Sequence, residues 1–408
     1  AGVSPASLRR TLPPPLRRLL AAAEATATER GVTVWAVGGA PRDLVMGEPI
    51  NDLDLAIDGA TAPFAKALAN RLPDATGGPV TAFGTSGITL TTADGPIRLD
   101  LARLRSETYD HPGALPSVRW THDIERDLAR RDYSVNAIAL GLTGDDRGRV
   151  VDPFEGIADA RARRLRVLHP RSFEDDATRL WRGARVAASR TLRPDGGTAS
   201  LIQEGGRWAS TISGDRWFGE LDLTARRGRA GSVVRLLDRW GVLRAIDPAW
   251  SVDPRTLHAL SRHSEPMAAP VLAALLLAPL AGRDAVLARL SAASDIREAV
   301  HDAARLLAVP LAPSIEALVS LERTGHDART AAAWLRPGGA VLSRALDRWE
   351  RTRPALGADE VQVLGVPRGP YLGQVLRELR RARYERTLAS RAAEREAVRR
   401  FVEREGLR

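Results

Sequence analysis

Asp52 and Asp54 stand two residues apart in the run Asp52-Leu53-Asp54-Leu55-Ala56-Ile57, where acid and apolar residues alternate. On a β-strand, residues i and i+2 leave from one face, so this pair projects together and can share a divalent ion through its carboxylates. A third acid, Asp100, lies in Ile97-Arg98-Leu99-Asp100-Leu101, whose alternation lets it reach the same face from a neighbouring strand. A few hard oxygen ligands suit Mg²⁺, which keeps water and substrate phosphates in its other positions. Two such ions activate an attacking hydroxyl and stabilise a leaving pyrophosphate. The plainer alternative is the polar face of a solvated strand.

Further polar groups flank these acids. Gly38-Gly39-Ala40-Pro41-Arg42-Asp43 offers backbone N–H groups at a helix start and an arginine for anionic oxygens. Arg130-Arg131-Asp132-Tyr133-Ser134-Val135-Asn136-Ala137 follows a polar loop over 105–127. In Asp175-Asp176-Ala177-Thr178-Arg179, helical spacing puts Asp176 and Arg179 on one face, a carboxylate beside a guanidinium. An exposed i,i+3 pair would stabilise by under about 1 kcal/mol. Arg182, one turn on, can reach a phosphate.

The elements that must position these groups follow from periodicity. Residues 1–30 read as helix, with Leu8, Leu12, Leu16, Leu19 and Leu20 on one face and a break at Pro13-Pro14-Pro15. Val32 to Val37 reads as a strand ending at Gly38-Gly39, and Pro41 suits the first turn of the next helix. The acidic run reads as a half-buried strand, and Gly87–Thr91 and Ile97–Leu101 as strands joined at Asp94-Gly95. After Val150-Val151-Asp152 helical periodicity takes over. Helices are expected over Phe173–Arg190, Ser232–Leu243, Ala268–Leu280, Ala285–Leu290, Asp295–Leu307, Ser314–Thr324, Ala340–Arg353 and Arg377–Arg408, with breaks at Gly196-Gly197 and Pro310 to Pro313. The fold class expected is α+β: an α/β head over 1–150, a helical neck over 151–250, and a helical body and tail over 251–408.

The chain has 408 residues, no cysteine and a formal charge of +10. The length allows two to four domains with ample core. The missing cysteines exclude disulfides, thiolate metal sites and thiol catalysis. No apolar run reaches the ~18 residues of a membrane span; the nearest, Ala268 to Ala281, stops at Gly282-Arg283-Asp284. The N-terminal stretch is interrupted by Arg9, Arg10, Arg17 and Arg18, unlike a signal peptide, so a cytoplasmic protein is expected. Lys66 is the only lysine among 60 basic residues. A GC-rich coding sequence accounts for that bias, yet arginine's fork still suits phosphates and a basic chain suits nucleic acid.

Taken in order, Gly38-Gly39-x-x-Arg42-Asp43, Asp52-x-Asp54, Arg130-Arg131-Asp132-x-x-x-Asn136-Ala137 and Asp175-Asp176-x-x-Arg179 resemble the class II tRNA nucleotidyltransferase and bacterial poly(A) polymerase family. The resemblance is strong over about 30–190; beyond it, Gly369-Pro370-x-x-Gly373 is similar to the family's C-terminal segment. It implies a polymerase-β-like nucleotidyltransferase head followed by helical neck, body and tail. It also implies two Mg²⁺ ions on Asp52 and Asp54, and Asp100 helping to activate the primer 3′-hydroxyl. Gly38, Gly39 and Arg42 would hold the nucleotide triphosphate with Asp43 supporting the loop, and Arg131, Asp132 and Asn136 would position ribose and phosphates. Asp176 and Arg179 would read the base edge of CTP or ATP without a nucleic-acid template.

The implied partner is the acceptor arm and 3′ end of tRNA, and the implied activity is building or repairing the CCA end. An A-adding enzyme that completes a tRNA ending in CC, with a companion nucleotidyltransferase, is the nearest alternative. A poly(A) polymerase and a catalytically idle RNA-binding protein stand further off. Arg103 to Val118 resembles the flexible loop of A-adding and CCA-adding members, which CC-only members tend to shorten. Pro41 and Asp175-Asp176-Ala177 depart from the family's usual Val and Glu-Asp-Pro.

Overall fold

The computed structural model describes residues 2–407; Ala1 and Arg408, at the outer ends of two expected helices, lie outside the described residues. The chain forms two compact units, one running to Glu220 and including Gly231–Pro248, the other made of Leu221–Ala230 and the chain from Ala249 onward.

The first unit opens with α1 (Pro5–Thr11) and α2 (Pro14–Arg30), separate helices because Pro14 starts a new one at its first position. Then come β1 (Val34–Val37), α3 (Gly39–Met46), β2 (Leu53–Ile57), α4 (Thr61–Ala69), β3 (Ala75–Gly77), β4 (Thr85–Thr92) and β5 (Gly95–Arg103). They are followed by β6 (Arg105–Thr108), β7 (Ser117–Trp120), α5 (Ile124–Ala129), β8 (Ala139–Gly141), β9 (Val150–Val151) and α6 (Gly156–Arg161). Next are β10 (Arg164–Leu165), α7 (Ser172–Asp175), α8 (Thr178–Arg190), β11 (Arg193–Pro194), α9 (Gly196–Gly205) and α10 (Gly214–Arg226), whose residues from Leu221 on are counted with the second unit. The described residues form a seven-stranded sheet in the order β3-β4-β5-β2-β1-β8-β9. Only β2 and β5 run parallel within it.

Both faces of the central strands are covered. Val34 and Ala36 of β1 with Leu53, Leu55 and Ile57 of β2 join the leucines of α1 and α2 in one core. Trp35, Val37 and Ala56 pack on the other face with Leu104, Ile124 and Leu128. β2 is therefore not the half-buried strand that its alternation predicts; Asp54 alone among its residues keeps partial exposure.

Several expected helices are shorter or broken. Phe173–Arg190 divides between α7 and α8 because Asp176 is extended (φ −150°, ψ 98°) and its Oδ1 accepts from Thr178 N (2.9 Å) and Thr178 Oγ1 (2.6 Å). That local bonding competes with the helix backbone. Gly196-Gly197 is no break: Asp195 caps α9 by accepting from Thr198 N at 2.8 Å. Ser232–Leu243 splits into Ala230–Arg239 and Val242–Ile246 at Gly241, whose φ is 72°. The stretch 151–250 also holds the two-residue strands β10 and β11, paired in parallel.

In the second unit the helices include Ala269–Leu277, buried from Val271 onward, and Ser294–Ala308 and Ile315–Leu321 on either side of the predicted Pro310–Pro313 break. The expected helix Arg377–Arg408 is two, Pro370–Tyr384 and Arg391–Glu405, parted where Arg386 turns left-handed (φ 62°) and Ser390 caps the second. Val375, Leu379, Val398 and Phe401 close a core between them. No helix among the described residues is long and apolar enough to cross a membrane.

One close approach fixes α8 against the Arg-Arg-Asp segment. Tyr133 is fully buried and its hydroxyl donates to Arg179 O at 2.7 Å, while a Cβ on Gly183 would stand 2.1 Å from that hydroxyl oxygen. Gly183→Ala is expected to cost about 1–3 kcal/mol through overpacking, read as a lower melting temperature; unchanged melting would contradict this packing.

Candidate active site

β1 ends at Val37, opposite Asp54 of β2, and the chain leaves the sheet through Gly38 at φ 70°, a region that favours glycine. A Cβ there would stand 3.3 Å from Asp54 Oδ2 and 3.4 Å from Arg131 Nη1. The turn, the acid and the arginine therefore share one small space. On its other side, Asp54 is in register with Asp100 of the parallel strand β5, so the two carboxylates leave the same sheet face from strands ~4.8 Å apart. Asp52 lies just ahead of β2, exposed and outside the ladder, whose pairing begins at Leu53 and Leu99. Asp52 thus stands at the mouth of β2, one residue before its first paired position, and Asp54 is in register with Asp100, the third expected acid. Asp100 accepts from Arg98 Nε at 2.6 Å, both side chains being more than half exposed, a surface pair of small energy.

Beside the acids runs a buried ionic relay. Arg190 of α8 grips Asp43 with both Nε (2.7 Å to Oδ1) and Nη2 (2.8 Å to Oδ2). Asp43 Oδ1 also accepts from Arg42 Nε at 2.8 Å, and Arg42 Nη1 donates to Asn136 Oδ1 at 2.6 Å. Asn136 Nδ2 donates to Asp132 Oδ1 at 3.0 Å, and Arg182 Nη2 meets Asp132 Oδ2 at 3.1 Å. Arg182, expected to reach a phosphate, is braced by Asp132 through Nη2 while its side chain stays 43% exposed. Two motifs and two points on α8 are thus joined in sequence. Asp43 raises the basicity of Arg190 through their hydrogen bonds, against the effect of burial, and Glu48 and Asp52 add to it.

Burial alone would raise the carboxyl of Asp132, but Arg182, Asn136, Arg179 and the Tyr133 N–H together hold it below the usual range. Asp127 behaves alike. It is wholly buried, and the cations of Arg131 and Arg130 outweigh burial. Arg131 Nη2 donates to Asp127 Oδ2 and Arg130 Nε to Oδ1, each at 3.0 Å, and Arg105 N donates to Oδ1 at 3.2 Å. Arg131 is thereby aimed at the Gly38 turn.

The segment Arg103–Val118 and the polar loop 105–127 are not loops throughout. β6 and β7 pair as a hairpin from Arg105↔Trp120 to Thr108↔Ser117, and Arg105 and Glu107 bond at 2.8 Å with little exposure. Behind the hairpin stand Asp176 and Arg179, 8% and 2% exposed. They do not share a helix face, since Asp176 precedes α8 in an extended conformation, and the exposed i,i+3 pair is likewise excluded. Arg179 Nη1 donates to Ser172 Oγ at 2.9 Å, and Nη2 to Arg130 O at 3.2 Å and to the Tyr109 hydroxyl at 3.4 Å. Asp176 pairs instead with Arg216 Nη2 at 2.8 Å.

Asp127, Arg190 and Arg216 escaped the sequence reading. Asp127 had a signal, standing three and four residues before two arginines. Arg190 and Asp43 are 147 residues apart, a distance over which spacing carries no information. Among the described residues no group of three or more His, Asp or Glu side chains is gathered closely enough to hold a metal. Asp54 and Asp100, with Asp52 nearby in the chain, nevertheless offer the hard oxygens that suit a cation completed by water and phosphate.

The depressed carboxyls give an acid-side dependence. Asp127 and Asp132 contribute stability that is present above the ordinary carboxylate range and is lost as pH falls through their lower folded-state values. Asp127→Asn, which leaves the largely buried Arg131 without its carboxylate and Arg130 with Glu107 alone, is expected to cost about 3–5 kcal/mol near neutral pH. In denaturant titrations the gap from the parent should narrow below about pH 4; a gap independent of pH would contradict the assignment.

The Poly A polymerase head domain family matches residues 34–166. An A-adding tRNA nucleotidyltransferase of Halalkalibacterium halodurans is 40% identical over 170 residues, 42% of this chain; the chain spans only 39% of that relative's length. A CC-adding tRNA nucleotidyltransferase of Deinococcus radiodurans is 32% identical over 380 residues, covering 90% of this chain and 88% of the relative. A CCA-adding enzyme structure in apo form superposes with a TM-score of 0.76 over 96% of this chain and 97% of its own at 21% identity, showing the same fold. With a head flanked by these motifs and a relative matched along nearly its full length, the chain belongs to the tRNA nucleotidyltransferase and poly(A) polymerase family of transferases.

Proposed function

We propose that this chain transfers nucleotides to the 3′ end of tRNA, using CTP and ATP to build or repair the CCA terminus. The observation that supports it best is the register of Asp54 beside Asp100, next to a glycine turn whose arginines are held by the buried relay. Mg²⁺ ions, when bound by Asp52 and Asp54, would lower the pKa of the attacking hydroxyl and neutralise the leaving pyrophosphate. Asp100 would leave Arg98 to assist the primer 3′-hydroxyl.

Gly38, Gly39 and Arg42 would receive the triphosphate. Asp43, pinned by Arg190, keeps Arg42 turned toward Asn136. Arg131, Asp132 and Asn136 would seat ribose and phosphates, and Arg182, braced by Asp132, would reach a phosphate. Asp176 and Arg179 would read the base from their two separate anchorages, Asp176 accepting from the exocyclic amine of cytosine or adenine and Arg179 donating to ring acceptors. The acceptor arm would lie along arginine-rich helical surface.

The hairpin β6–β7 lies in the segment that resembles the flexible loop of A-adding and CCA-adding members, which CC-only members tend to shorten, and so speaks against addition of CC alone. Two narrower specificities each have a specific support. The 40% match over the head favours addition of A alone, and the match along most of the chain favours addition of CC.

Labelled CTP and ATP, supplied separately and together with Mg²⁺, should be incorporated as C, C and A into a tRNA lacking its CCA end. Asp54→Ala is expected to abolish incorporation while tRNA binding persists. ATP incorporation confined to a tRNA ending in CC would indicate A-only addition, and a product stopping at CC would indicate the CC reading. Long A tracts on unstructured RNA would point to poly(A) polymerase. No incorporation on any RNA would sink the proposal.

A further inference from the structure

Asp176 is held in an unusual way for a carboxylate expected to meet a base. Three groups converge on a single oxygen: Thr178 N at 2.9 Å, Thr178 Oγ1 at 2.6 Å and Arg216 Nη2 at 2.8 Å, all at Oδ1. Oδ2 accepts no hydrogen bond from any described residue. A nearly buried carboxylate with one oxygen saturated keeps the other able to accept a further donor, such as an exocyclic amine.

The guanidinium that completes this arrangement is itself oriented. Arg216 lies in the first turn of α10, and its Nη1 donates to Gly113 O at the tip of the β6–β7 hairpin, at 3.1 Å. The neighbouring Trp217 is fully buried, packed on Trp181 of α8 with ring centroids 6.2 Å apart, and its Nε1 donates to Ala209 O at 3.2 Å. The backbone that presents Arg216 is thus anchored independently of the carboxylate. Without Arg216, the Asp176 carboxylate would be buried with no cation paired to it, and free to turn on its side-chain bond.

We propose that Arg216 is a positioning residue for base selection: it fixes the orientation of the Asp176 side chain so that Oδ2 is presented to the amine of cytosine or adenine. Its polar contacts are with Asp176 and Gly113, not with the Gly38 turn or the acids of β2 and β5. The proposal rests on the reading of Asp176 as a base-reading group. Uracil and guanine present a carbonyl where cytosine and adenine present the amine, so an acceptor fixed in this way rejects them. If Asp176 can rotate, that rejection weakens. Arg216 therefore governs which nucleotide is taken more than how fast an accepted one reacts.

Arg216→Ala and Arg216→Lys should be compared with the parent in two assays on the full chain. In the first, kcat/KM is measured for CTP, ATP, UTP and GTP on tRNA lacking CCA. The preference for CTP and ATP is expected to fall about tenfold or more in Arg216→Ala, chiefly through KM, with partial recovery in Arg216→Lys. In the second, displacement of a labelled CTP reports the binding of all four nucleotides without transfer. This separates the two claims: a parent that binds CTP and ATP selectively but adds neither to tRNA would overturn the proposed function and leave the role of Arg216 to be read from the variants' binding. An equal loss for all four nucleotides, an unchanged preference, or a parent that binds all four alike would overturn the role of Arg216.

Discussion

Two carboxylates, Asp43 and Asp132, are buried at 4% exposure and are tolerated there because each is wrapped by arginine and amide donors. Removing a carboxylate from water costs several kcal/mol, and only good geometry and further hydrogen bonds offset it. The geometry here is supplied by α8. Arg182 and Arg190, eight residues apart on that helix, reach Asp132 and Asp43 respectively. Arg42 and Asn136 close the path between the two acids. These buried polar groups of the head are thus organised from outside the sheet.

This constraint explains why the site and the helices after it belong to one compact unit. Gly183 lets α8 approach Tyr133, which burial keeps in its neutral, hydrogen-donating form. The same approach brings Arg179 to the carbonyl of Arg130. Asp127, beneath the two arginines of that motif, turns Arg131 toward the Gly38 turn. The sheet contributes Asp54 and Asp100, while Asp43 of α3 and Asp132, outside the sheet, draw cations from α8. Charge is balanced locally, so groups able to meet phosphate need little rearrangement, a preorganisation that favours binding and transfer alike.

Much of this was legible before any coordinates. β-branched runs and glycine turns located β1, β4 and β5, and Asp-x-Asp marked β2, because strand periodicity and turn chemistry are local properties. The degree of burial of β2 was not legible, since a strand covered on both faces can still alternate in sequence when one of its faces carries Asp54 and Ala56. The break between α7 and α8 was hidden because Asp176 and Thr178 form a bond that a helical wheel does not anticipate. Arg190 and Arg216 were hidden for another reason: their partners, Asp43 and Asp176, are set by tertiary packing. Helix ends such as those near Gly241 and Arg386 turn on single left-handed residues, and among so many arginines a non-glycine one gives no warning.

The central claim is that Asp43 and Asp132 act as one unit through Arg42 and Asn136. It is tested most directly by a double-mutant cycle on nucleotide affinity. Dissociation constants of ATP and CTP would be measured for Asp43→Asn, Asp132→Asn and the double variant. The relay predicts a coupling of about 1 kcal/mol or more, because the second substitution acts on a network the first has already loosened. Additivity within about 0.5 kcal/mol would mean that the two acids support their loops independently, and would contradict the account.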